Sequence, residues 1–218
     1  EISCSLVGSE MCIRDRNDIN HFGIHQTMTI GIFGGTFNPI HIGHAILANF
    51  ISQTKLVDEV WLMPTPHNPL KSEGNTNYDR HRIEMVQIVA EGCANVQVCL
   101  EEFELPRPSY SYDTLVHLKN KFPEHQFKMI IGADNWLCFD KWRNYQSIIS
   151  EFGLIVYPRP GYSLPEDSGS TNVIFIDAPQ IEISSTSIRE GLKRGMNMNF
   201  FLSEKVYHYI LEQKLYQE

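Results

Sequence analysis

Two histidines, His41 and His44, stand three residues apart directly behind a pair of glycines in Gly31-Ile-Phe-Gly-Gly-Thr-Phe-Asn-Pro-Ile-His-Ile-Gly-His44. The apolar run Thr29 to Phe33 reads as a buried strand, and Gly34 and Gly35 let the backbone turn tightly and approach a ligand. Pro39 suits the first turn of a helix, which places a helix N-terminus almost on top of the glycines. Unpaired backbone N–H groups and the positive dipole end favour an anion there, and a triphosphate is the natural guest. His41 and His44 share one face of that first turn, and each can donate a hydrogen bond to a phosphate oxygen. Phe33 occupies the place of the second glycine of the dinucleotide fingerprint, and no G-K-[ST] follows at P-loop spacing, so neither common phosphate motif fits.

A second anion-binding turn is legible near the other end, in Ile183-Ser-Ser-Thr-Ser-Ile-Arg189. Ser184, Ser185 or Thr186 can cap a helix and offer hydroxyls, Arg189 one turn on can fork onto phosphate, and Ser187 with Glu190 fits a capping box. Two such turns flanking one crevice would clamp a triphosphate.

These turns need a scaffold, and the chain alternates strand-like and helix-like segments after Met28. Strands are expected at 29–33, 60–63, 96–100, 127–131, 154–157 and 173–176. Helices are expected near 42–53, at 77–90 and 111–121, after 183 as far as Gly195, and near 203–214. Three prolines make 64–71 a loop at a strand end, and 158–171, rich in Pro, Gly and Ser, reads as a mobile connection. Strands separated by helices imply parallel pairing with right-handed crossovers. The economical fold is a single α/β domain, a Rossmann-like doubly wound parallel sheet with ligands at the carboxyl ends of its strands. Residues 1–27 lack sustained periodicity, so a non-native or disordered leader is expected there, with Met28 as the native start of a domain over 28–218.

At 218 residues and 42% hydrophobic, the chain suits one enzyme-sized unit with a real core. A formal charge of −8 with scattered Lys and Arg argues against a nucleic-acid surface. No apolar run approaches the roughly 18 residues of a membrane span, so the cytoplasm is expected. Five cysteines without a C-x-x-C pair fit reduced thiols, and Cys99, His67, His81, His117 and His125 form no cluster with metal-ligand spacing, so no protein-held metal is expected.

With these motifs in order, the sequence resembles the bacterial nicotinate-nucleotide adenylyltransferases of the nucleotidylyl transferase superfamily. The resemblance runs from 28 to 216 and rests on G-G-T-F-N-P-I-H-x-G-H, P-x-x-x-P-x-K, P-S-Y-x-x-D-T-L, G-A-D and I-S-S-T-x-I-R. It implies that Gly34, Gly35, Thr36 and Phe37 line the ATP site, that His41 and His44 touch the phosphates undergoing transfer, and that Lys71 lies on a basic loop near phosphate. It further implies that Asp134 lies near ribose within the ATP site and that Ser184, Ser185, Thr186 and Arg189 complete it. Trp142 would stack on the acceptor's pyridine ring, with Trp136 a competitor for that role. Ser111 replaces the threonine usual in P-S-Y-T and would keep a hydroxyl on the acceptor side. The implied substrates are ATP and nicotinate mononucleotide, with Mg²⁺ carried on ATP and His41, His44, Lys71 and Arg189 supplying charge and hydrogen bonds. The rivals are the same transfer to nicotinamide mononucleotide or phosphopantetheine, a non-catalytic nucleotide sensor, and a plain α/β structural domain; oligomeric state is left open.

Overall fold

The computed structural model describes residues 27–66 and 76–217. Lys71 and residues 1–26 of the expected leader lie outside the described residues. Six strands, β1 (Thr29–Gly35), β2 (Glu59–Pro64), β3 (Val96–Val98), β4 (Gln126–Gly132), β5 (Leu154–Tyr157) and β6 (Val173–Phe175), form one sheet in the order β3-β2-β1-β4-β5-β6. Every pairing is parallel. The helices are α1 (Ile42–Ser52), α2 (Thr76–Ala90), α3 (Ser111–Lys121), α4 (Ala133–Trp136), α5 (Tyr145–Glu151), α6 (Ser185–Lys193) and α7 (Glu204–Glu212), with short 3₁₀ turns at Glu101–Glu104, Phe139–Lys141 and Asn199–Phe201. The doubly wound single domain is therefore present.

Strand alternation divides the core into two layers. Ile130 and Ile155 face α1, α2, α6 and α7 through Leu47, Ile51, Val86, Ile188 and Ile210. Their neighbours Met129, Ile131, Leu154 and Val156 face α3 and α5 through Leu115, Leu118 and Ile148. Burial on both faces explains why these strands read as unbroken apolar runs. The order reverses between β1 and β4, and a doubly wound sheet opens a crevice outside the carboxyl ends at such a point. β1 ends there in Gly34-Gly35 and β4 runs there into Gly132-Ala-Asp134.

Three local expectations are corrected. Pro39 does not open a helix: α1 begins at Ile42 with His41 as N-cap, and the Asn38–Pro39 peptide is cis. α6 is capped by Ser184, whose Oγ accepts from the Ser187 N–H at 3.1 Å, so the box pairs Ser184 with Ser187 rather than Ser187 with Glu190. β3 stops at Val98, where the chain enters the 3₁₀ turn. The β5–β6 connection, rich in Pro, Gly and Ser, carries no helix, in keeping with its expected reading as a connection, and Arg159 and Tyr162 form an antiparallel bridge within it. The end of α6 does match expectation: Gly195, at φ 72°, donates to the Leu192 carbonyl, and Met196 donates to that of Gly191. Cys93, Cys99 and Cys138 are free thiols, and among the described residues no helix is long and apolar enough to cross a membrane.

Ile188 is fully buried where α6 meets the sheet layer. Ile188→Ala is expected to lower the free energy of urea unfolding by about 2–5 kcal/mol. Phe200→Ala, at a side chain 92% exposed, is expected to change it by less than about 0.5 kcal/mol.

Candidate active site

The turn between β1 and α1 presents a constraint before it presents chemistry. Its residues belong to neither element, so their carbonyls have no ladder or helix to accept from, and side chains from distant segments supply the donors. Arg82 of α2 donates to the Thr36 carbonyl and, at 2.9 Å, to that of Thr65, while Asp79 pairs with its charge. Arg189 Nη1 donates to the Asn38 carbonyl at 2.7 Å, and Ser185 Oγ donates to the Pro39 carbonyl at 2.9 Å. The two motifs, 146 residues apart at Pro39 and Ser185, thus form one unit. Phe37, at φ 46°, turns its ring into the core against Phe33 at 5.8 Å and His44 at 5.1 Å. A Cβ on Gly35 would lie 3.0 Å from that ring and press on it, so glycine gives the ring its room there.

His41 and His44 stack at 3.7 Å between ring centroids, with an interplanar angle of 27°. The His41 N–H donates to His44 Nδ1 at 3.3 Å, which leaves the proton of a neutral His44 on Nε2 as a donor. Burial, and secondarily the Arg159 guanidinium, lower His41 to about 4. Burial again comes first for His44, which His41 and then Arg159 push well below its ordinary value. Both rings are therefore neutral donors in the free protein. His41 Nδ1 is buried and has no partner among the described residues.

Arg159 follows β5 and lines one cleft with His41, His44, Tyr157 and Ile183. Its Nη1 donates to Asp134 Oδ2 at 2.9 Å, while Asp134 Oδ1 is buried with no partner among the described residues, an acceptor suited to a hydroxyl. A Cβ on Gly132 would meet Asp134 Oδ1 at 2.4 Å and Arg159 Cδ at 2.8 Å, so this pair needs glycine at the end of β4. A single carboxylate already paired with Arg159 makes no cage for Mg²⁺, which takes about six oxygens. Among the described residues the one group of three metal-type side chains is Glu101, Glu104 and His117, and Lys121 already pairs with both glutamates.

The residues expected on the acceptor side lie near one another through aromatic contacts. Trp136 stacks with Phe139 at 6.1 Å, and Trp142 tilts against the same Phe139 ring at 5.2 Å. Arg143 lies 4.7 Å over the Tyr110 ring, which brings the segment of Trp142 beside Ser111, the first residue of α3. Of the hydroxyls at the start of α6, Ser185 is spent on Pro39 and Ser184 on its cap. Thr186 is exposed and accepts from Arg189 Nη2 at 3.4 Å. Phe37 offers a ligand its backbone alone, because its ring is buried. Gly34 lies within β1, paired with Met63 of β2, rather than on the turn, and Thr36 is the first residue of the turn.

Arg159, Arg82 and Tyr216 were not singled out from sequence. Arg82 is 2% exposed and lies on the apolar stripe of α2 with Met85 and Val86, and a charge on such a stripe is itself a signal. Arg159 sits between Pro158 and Pro160 just past a buried strand, where doubly wound sheets bind ligands.

Comparison with known proteins agrees with this geometry. Residues 32–191 match the cytidylyltransferase-like family. A Bacteroides fragilis protein named "probable nicotinate-nucleotide adenylyltransferase" is 48% identical over 183 residues, 84% of this chain and 91% of that one. A Flavobacterium johnsoniae protein of the same name is 41% identical over 194 residues, covering 88% of this chain and 100% of that one. The solved Plasmodium falciparum nicotinic acid mononucleotide adenylyltransferase complexed with NaAD has the same fold: TM-score 0.72 at 22% identity, over 86% of this chain and 97% of that one. With the turn behind the glycine pair bonded to the serine-capped α6 and leading into the stacked histidines, the chain belongs to the cytidylyltransferase-like family and, within it, to the nicotinate-nucleotide adenylyltransferases.

Proposed function

We propose that this enzyme joins the AMP part of ATP to nicotinate mononucleotide, releasing pyrophosphate and forming nicotinate adenine dinucleotide. The carrying observation is the pair of neutral stacked imidazoles lining one cleft with Arg159, at the point where the sheet order reverses. An oxygen of the acceptor's phosphate attacks the α-phosphorus in line; the bond from that phosphorus to the bridging oxygen breaks, and pyrophosphate leaves with Mg²⁺ that arrived on ATP. A phosphate monoester is already a competent nucleophile, so the chain's part is positioning and charge stabilisation. His44 Nε2–H and His41 donate to the transferring phosphates, and the backbone of Gly35, Thr36 and Phe37 cradles them. Arg189 and Thr186 flank the departing pyrophosphate, and Lys71 adds a basic group. Asp134 Oδ1 accepts from a ribose hydroxyl, and Trp142 with Ser111 receives the pyridine end of the acceptor.

The decisive assay is pyrophosphate release from ATP and Mg²⁺ with nicotinate mononucleotide, nicotinamide mononucleotide or phosphopantetheine in parallel. Preference for the first is expected. Preference for another would move the acceptor, and tight ATP binding without release would favour a sensor. His44→Ala is expected to lower kcat by about 10²–10³ with a much smaller change in ATP affinity, read from initial rates and calorimetry; an unchanged kcat would remove His44 from the mechanism.

The low value of His41 also carries a stability signature. Between 6.5 and about 4 the unfolded chain holds a proton on His41 that the folded chain does not, so this contribution is complete above 6.5 and is lost as pH falls toward 4. Its size is on the order of 3 kcal/mol. Thermal melts across that range are expected to show a falling midpoint, with a shallower fall in His41→Asn, which keeps a competent N-cap.

A further inference from the structure

Tyr216 belongs to neither anion-binding motif, yet it reaches the glycine turn. α7 ends as a Schellman turn in which Lys214, at φ 52°, donates to the Leu211 carbonyl and Leu215 donates to that of Ile210. Tyr216 then adopts φ 62°, a left-handed conformation that bulky residues rarely take unless their surroundings fix it. Those surroundings are specific. The residue is 8% exposed, its ring lies 6.1 Å from that of Tyr78, and its hydroxyl donates to Asn38 Oδ1 across 178 residues of sequence. Arg189 donates to the carbonyl of the same Asn38, so this residue is held at its side chain by Tyr216 and at its backbone by Arg189. Asn38, Thr186, Arg189 and Tyr216 line one hollow. Burial raises the phenol above its ordinary value, which keeps it a hydroxyl donor.

We propose that Tyr216 is a positioning residue for adenylyl transfer: by holding the Asn38 amide it fixes the arc from Thr36 to Ile40 in the shape that presents its backbone to the triphosphate. This rests on ATP occupying that turn, as proposed above. Removing the hydroxyl leaves the ring in place and frees the Asn38 side chain, so the turn must be ordered each time ATP binds. Nothing in the contact reaches the acceptor, and the consequence should fall on ATP alone.

The test compares wild type, Tyr216→Phe, Asn38→Ala and the double variant, well below their melting temperatures. The measurements are kcat, KM for each substrate, thermal midpoint, and calorimetric affinity for a non-hydrolysable ATP analogue. Tyr216→Phe is expected to lower kcat/KM for ATP and analogue affinity by about five- to tenfold, with KM for nicotinate mononucleotide unchanged. Asn38→Ala is expected to lose at least as much, with the double variant no worse than Asn38→Ala, because both act through one contact. A lower melting midpoint with unchanged ATP parameters, or losses that simply add, would overturn the proposal. A wild type that binds the analogue without turnover would overturn the proposed reaction, yet the analogue affinities would still decide for or against Tyr216. A wild type with no analogue binding would overturn both.

Discussion

Backbone carbonyls that belong to no regular element govern this structure. A turn outside the regular elements has no ladder to pair its carbonyls, and an unpaired acceptor is costly where water is scarce. Thr36, Asn38 and Pro39 find their donors in Arg82, Arg189 and Ser185, on helices remote in sequence. The sheet, α2 and α6 must all be in place before the turn is complete. Binding capacity is therefore a property of the folded domain rather than of the glycine-rich segment alone.

The electrostatics follow a similar economy. On the proposed reading, a chain of formal charge −8 receives a polyanion with few groups, each already oriented by a protein partner. Arg159 is aimed by Asp134, Arg189 by Asn38 and Thr186, and His44 by the His41 backbone. Groups fixed beforehand need little rearrangement when charge develops on the phosphates, which is where such sites draw their advantage over water.

Much of this was legible in the sequence, because the signals are local. Buried strands announced themselves as apolar runs, and the glycine pair, the spacing of His41 and His44, and the Ser-Ser-Thr-x-Ile-Arg cap each encode their geometry within a few residues. Misreadings arose where local signals compete. Pro39 fits a helix start as well as the turn it occupies, and Ser187 offered a cap in competition with Ser184. α5, Tyr-Gln-Ser-Ile-Ile-Ser-Glu, is too short for its periodicity to stand out. Tyr216 and Arg82 were illegible for another reason: each acts on a carbonyl or amide far along the chain, and no spacing rule reports which of many distant groups will face it.

The stacked imidazoles have a consequence for how the site counts protons. Rings 3.7 Å apart cannot both carry a positive charge at small cost, since protonating either one strongly opposes protonating the other. The pair titrates anticooperatively and behaves as a reservoir of a single proton. A polyanion held there would favour the first proton, while the second stays opposed by the first. The second ring is kept as a neutral donor whose hydrogen bond does not depend on the acidity of the surroundings.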